Sequence, residues 1–149
     1  MNASRTTAGR VVRSLPLITR ALAAEVRKAG TDAQLMLAQV SALQLLEEGD
    51  LSAGELARRM HVAMPTVTQS VDSLVARGLA SRSADSHDRR QVRLHITRDG
   101  QRALAQSLSA VEGYARELLR GLTPEQREDL AANLERLAAQ IEESASARV

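Results

Sequence analysis

Between Ser52 and Ile96 the apolar residues change period once, from helical to strand-like, and this switch constrains the fold of the 149-residue chain more than any other feature. Ser52, Ala53, Gly54 and Glu55 make a capping box: the serine hydroxyl accepts the third amide of a helix while the glutamate reaches back to the cap. A short helix should therefore run from here to Met60. A tight turn at His61 to Met64 leads to a second short helix, Pro65 to Ala76, with proline in its first turn and Gly78 just past its end. Val67, Val71 and Leu74 face inward along it. Two short helices joined this closely form a helix-turn-helix unit. Directly behind it Leu79–Ser83 reads as a strand, and Gln91–Ile96 as its partner, with Val92, Leu94 and Ile96 on one side and Arg93 and His95 on the other. The charged stretch 84–90 is the tip of the hairpin, and a basic hairpin in this place is a wing.

The flanks are helical. Val11, Leu15, Ile18, Leu22 and Val26 recur on one helical face, interrupted at Pro16, where the helix should either start or kink; Gly30 ends it. A second helix begins near Asp32, where Thr31 and Gln34 offer a capping box, or near Met36, and stops at Glu48. Its inward residues are Leu35, Val40, Leu43 and Leu46. After the hairpin, Thr97 caps a long helix to Gly121 with Leu104, Leu108, Val111, Ala115 and Leu118 or Leu119 as its stripe. Thr123, Pro124, Glu125 and Gln126 open a last helix lined by Leu130, Leu134, Leu137 and Ile141. A head of about a hundred residues cannot cover both terminal stripes, so they read as homodimer surface. The division expected is a tail at 1–9, supporting and dimerising helices at 10–50, a winged helix-turn-helix head at 51–98 and dimerisation helices at 99–149, with frayed residues again at 143–149. The fold class is mainly α with a small β-hairpin wing.

Composition narrows the function. Cysteine is absent, which removes disulfides and thiolate metal sites, and Tyr114 is the only aromatic residue, which argues against base stacking on single strands or RNA. Residues 51–98 hold eight arginines against four acids, whereas 99–149 hold six basic residues against nine acids, so a polyanion partner belongs to the middle of the chain. No run approaches the roughly eighteen apolar residues of a membrane span, and the polar N-terminus has no signal-like core; a cytoplasmic protein without a membrane partner is expected. His61, His87 and His95 are spread over a turn, a wing and a strand. No nucleophile motif, phosphate loop or metal-ligand spacing stands out, so no enzyme, no catalytic residue, no metal and no cofactor are expected.

Leu51–Met60 (LSAGELARRM), Met64–Ala80 (MPTVTQSVDSLVARGLA) and Asp88–Gly100 (DRRQVRLHITRDG), with their flanking helices, resemble the MarR family of bacterial regulators over nearly the whole chain. That resemblance implies a dimeric transcription factor on a pseudo-palindromic duplex DNA operator, acting as a repressor and released by a small-molecule effector held near the first, second and fifth helices. It implies that the fourth helix enters the major groove with Pro65, Thr66, Thr68 and Gln69, of which Gln69 can pair in a bidentate way with adenine. In the wing, Asp88 would steady Arg90 for the minor groove, with Arg89 and Arg93 on the backbone. Because Met64–Ala76 holds no Lys or Arg, phosphate neutralisation falls to Arg58, Arg59, Arg77, Arg82 and the wing. Two other readings stay open, a dimer acting through a protein partner and a DNA binder without an effector.

Overall fold

The computed structural model describes residues 6–29, 35–85 and 91–146. They form six helices and one hairpin: α1 (Thr7–Ala29), α2 (Leu37–Glu48), α3 (Ala53–Met60), α4 (Met64–Ala76), β1 (Ala80–Ala84), β2 (Val92–Ile96), α5 (Arg98–Leu119) and α6 (Pro124–Ser146). The core is built by side chains from α1 to α5 and the hairpin, among them Val26, Leu43, Leu56, Leu74, Leu94 and Leu104, each at most 2% exposed. α6 contributes no residue to it.

α1 departs from expectation at both places where the sequence was ambiguous. It starts at Thr7, three residues inside the expected tail, because the Thr6 hydroxyl accepts the Gly9 amide at 3.1 Å. It then continues through Pro16 without interruption. The carbonyl that loses its helical donor is that of Val12, a residue 63% exposed, so water can replace the missing bond. Of its predicted apolar face only Val26 is buried; Val11, Leu15 and Ile18 remain 44–47% exposed, since only the end of the helix reaches the core. α6 runs on to Ser146, through residues expected to fray.

α2 takes the later of its two starts. The Gln39 side chain accepts the Met36 amide at 2.9 Å, a half capping box the sequence reading did not weigh, and Thr31 to Gln34 lies outside the described residues. Its four expected inward residues, Leu35, Val40, Leu43 and Leu46, are all buried.

The hairpin is antiparallel with Ala80 opposite Ile96, Arg82 opposite Leu94 and Ala84 opposite Val92. β1 begins one residue later than expected because Leu79 belongs to the preceding turn: its amide donates to Leu74 at 2.9 Å and its carbonyl accepts from Thr97 at 3.1 Å. Leu94 is buried as the alternation requires, but Val92, toward the open end, is 50% exposed. Leu51 adds a single bridge on the other edge of β2, exchanging both backbone bonds with Leu94.

The hairpin base is joined closely to α5. The Thr97 hydroxyl caps the helix by accepting the Gly100 amide at 3.0 Å and donates to the Gly78 carbonyl at 2.6 Å. Gly100 packs so tightly on the turn that a Cβ there would stand 2.0 Å from the Leu79 carbonyl oxygen. A methyl group cannot be accommodated without separating α5 from the hairpin. Gly100→Ala is expected to lower stability by at least about 1–3 kcal/mol, read as a lower urea midpoint at unchanged slope. Gly113→Ala, in the same helix with nothing within 4 Å of its Cβ position, is the control and should be neutral or slightly stabilising.

Candidate nucleic-acid interface

The helix-turn-helix is assembled from local signals. Both halves of the predicted capping box are present: the Glu55 amide donates to the Ser52 hydroxyl at 3.2 Å and the Ser52 amide to the Glu55 carboxylate at 2.7 Å. α3 ends where His61 adopts a left-handed conformation, φ 54°, and the Val62 amide returns to the Ala57 carbonyl at 3.1 Å. α4 follows with Ala63 at its cap, offering no side-chain bond, and Pro65 in its first turn.

Burial sorts the faces of α4. Val67, Val71 and Leu74 are at most 1% exposed, while Pro65, Thr66, Thr68 and Gln69 all lie on the exposed side. The Thr68 hydroxyl donates to the Met64 carbonyl at 3.0 Å, which leaves its methyl and its oxygen lone pairs facing outward. Met64, 46% exposed, lies in the same first turn of α4.

The arginines around this helix divide into two groups. Arg59 is paired with Glu48 and Arg82 with Asp72. Arg58 and Arg77 have no carboxylate at ion-pair distance among the described residues. Asp88, Arg89 and Arg90 lie outside the described residues.

Arg93, expected to add contacts to the DNA backbone, is bonded within the head: its Nε donates to Asp85 Oδ2 at 2.7 Å, and its Nη1 donates to Glu55 Oε2 at 2.7 Å and to the Asp50 carbonyl at 3.5 Å. On the same strand face, His95 Nδ1 stands 2.7 Å from Asp50 Oδ1 and its Nε2 touches the Ser83 hydroxyl. The hydrogen bond to Asp85, with the charge of Glu55, raises the Arg93 pKa. Glu55 is held below its ordinary range chiefly by the Ser52 amide and hydroxyl; burial opposes them, and the charges of Arg93 and then Arg58 lower it by smaller amounts. Sequence reading placed Arg93 and His95 on one strand face but had no means of locating Asp50, Glu55 and Asp85 opposite them.

An open groove of about 520 Å³ runs between α2 and the end of α3, walled by Leu37, Ser41, Leu45, Met60 and Val62, with Glu48 and Arg59 on its lining. It shares α2 with the expected effector region but takes nothing from α1 or α5. Among the described residues, no group of three or more His, Asp or Glu is placed to hold a metal ion, and no helix is long and apolar enough to cross a membrane.

A MarR family model matches residues 33–91, which span α2, the helix-turn-helix and the hairpin up to the start of β2. That match covers less than half of the chain, and it makes the chain similar to MarR family regulators. Its six helices and hairpin have the winged-helix fold of solved MarR regulators, one of which superposes with a TM-score of 0.78 at 26% identity. The HTH-type transcriptional regulator YsmB of Bacillus subtilis is 33% identical over 82 residues, 55% of this chain and 56% of YsmB, so that match spans about half of the relative. The transcriptional repressor CouR, solved bound to a 23-mer DNA duplex, superposes with a TM-score of 0.78 at 26% identity, covering 93% of this chain and 96% of CouR. BpsR of Bordetella bronchiseptica, whose DNA binding is regulated by 6-hydroxynicotinic acid, superposes with a TM-score of 0.70 at 25% identity, covering 87% and 98%.

The depressed carboxyl of Glu55 fixes the sign of a pH effect. Its contribution to stability is complete above the ordinary carboxylate value of about 4.3 and is lost as pH falls through the lower folded value. In urea unfolding the wild-type chain should lose more stability between about pH 5 and 3 than Glu55→Gln does. Parallel pH curves would show that the cap and the arginine contribute nothing through this charge.

Proposed function

We propose that this regulator is a homodimer that reads a pseudo-palindromic duplex operator, with α4 of each protomer in the major groove and the wing reaching the adjacent minor groove. The observation that carries this reading is the outer face of α4: Pro65, Thr66, Thr68 and Gln69 are exposed on a helix whose inner face is locked into the core, with Arg58 on α3 and Arg77 at its end having no carboxylate at ion-pair distance among the described residues. Gln69 is the side chain best suited to a base edge, and the two arginines supply phosphate neutralisation that α4 itself lacks. Asp88, Arg89 and Arg90 complete the reading in the wing.

Dimerisation is supported by surface the single chain leaves uncovered. Leu130, Leu134, Leu137 and Ile141 of α6 are 41–54% exposed, as are Val11, Leu15 and Ile18 of α1 within the same range. The two helices also carry opposite charge: α1 has five basic residues against one acid, and α6 six acids against two arginines. Repression by occupying a promoter, and release by a small molecule that favours one spacing of the two heads, complete the proposal. The regulation of BpsR by 6-hydroxynicotinic acid supports a small organic effector of that kind.

The test uses a duplex selected by the purified protein from a random-sequence pool. Gln69→Ala should lose about 1–3 kcal/mol of discrimination at one base pair, while Arg77→Ala should weaken binding evenly across sequences and lower the log-log salt slope by about one. A flat salt dependence in the wild type would reject the reading. In sedimentation equilibrium, Leu134→Glu is expected to give a folded monomer; an unchanged dimer would place the interface elsewhere.

A further inference from the structure

We propose that Arg93 is a positioning residue of the DNA-binding head, a strut that sets the angle of the wing against α3 and makes no contact with phosphate itself. The inference rests on the reading of the head as a duplex binder and deepens it. Its first support is charge. One guanidinium stands against two carboxylates, Asp85 and Glu55, each 2.7 Å away, so its charge is already met within the fold. Nε and Nη1 are already committed, Nη1 twice, and the side chain is only 32% exposed.

Placement supplies the second support. Asp85 immediately follows β1 and its amide donates to the Gln91 carbonyl at 2.9 Å, closing the base of the wing loop. Asp50 and Glu55 belong to the linker before α3 and to its first turn. Between these segments, among the described residues, the backbone tie is the single Leu51–Leu94 bridge, a pair of bonds at one residue of the strand that serves as a pivot. Arg93 and His95 flank that pivot on the face opposite Leu94, and both grip Asp50, one by its carbonyl and one by its carboxylate. Arg93 reaches farther, to Glu55 in the cap of α3 and to Asp85 at the loop base. Rocking the hairpin requires breaking this cross-brace.

Three behaviours distinguish a strut from a phosphate contact and from a residue needed merely for folding. The probe is again a duplex selected from a random pool by the wild-type protein, with affinity measured across a salt series and the complex footprinted by hydroxyl radicals. Arg93→Gln is expected to lower affinity by about tenfold, the scale of one lost groove contact, at an unchanged salt slope, with protection lost under the wing and kept under α4. A slope lower by about one would make Arg93 a phosphate contact and overturn the strut while leaving the DNA reading intact. Unchanged affinity, or a smaller active fraction with unchanged affinity and footprint, would also overturn it. Should Arg93→Gln fail to fold, the Glu55→Gln/Asp85→Asn double variant removes the far ends of the strut and leaves the arginine charge in place. It should show the same loss of wing protection, whereas tighter binding with an intact footprint would overturn the proposal. A wild-type protein that selects no duplex at all would sink the DNA reading together with this one.

Discussion

One carboxylate, that of Glu55, holds two parts of the head at once. It closes the cap of α3 through the Ser52 amide and receives Arg93 from the hairpin on the same oxygen. The first bond is local and starts the helix that supports α4. The second crosses to β2 and ties the wing to that start. A glutamate serving only as a cap would remove one of the few polar ties between α3 and β2, leaving the Leu51–Leu94 bridge, the His95–Asp50 contact and the packing of Leu94. The low pKa of Glu55 follows chiefly from the cap, since the Ser52 amide and hydroxyl favour its charged form most, with the arginines adding less.

The electrostatic character of the head is set less by its count of arginines than by which of them are already paired. A net positive middle segment invites the view that every cation there is available to a polyanion. In the folded chain Arg59, Arg82 and Arg93 face carboxylates of their own, and only some of the nominal charge remains to meet phosphate. Salt dependence of binding counts available cations rather than cations in the sequence. This distinction also separates side chains that read or neutralise DNA from those that orient the elements doing so.

The other half of the molecule is organised by what it leaves unfinished. The core draws on the end of α1, on α2 to α4, on the hairpin and on the first half of α5; the rest of α1 and all of α6 keep their leucines, valines and isoleucines exposed. Apolar stripes of this length on long helices are costly in water unless something covers them. α5 connects that unfinished region to the head, and its first turn is pressed against the hairpin base at Gly100.

Legibility in the sequence followed the distance over which each feature is decided. The caps at Ser52, Thr97 and Thr123 are settled by residues three positions away, and all three were readable and correctly placed. The inner face of α4 and the antiparallel hairpin were equally plain, because helical and strand periods repeat within a few residues. The path of α1 through Pro16 was not, since a proline is tolerated or not according to whether the carbonyl behind it can reach water. Nor was the role of Arg93, whose partners stand 8 and 38 residues away in the chain. The sequence by itself therefore determined the kinds and order of elements and their resemblance to one family of regulators. Only the tertiary structure decided which arginines are spent inside the fold and which apolar faces stay open, because an ion pair or a buried stripe exists only once packing brings distant segments to within contact.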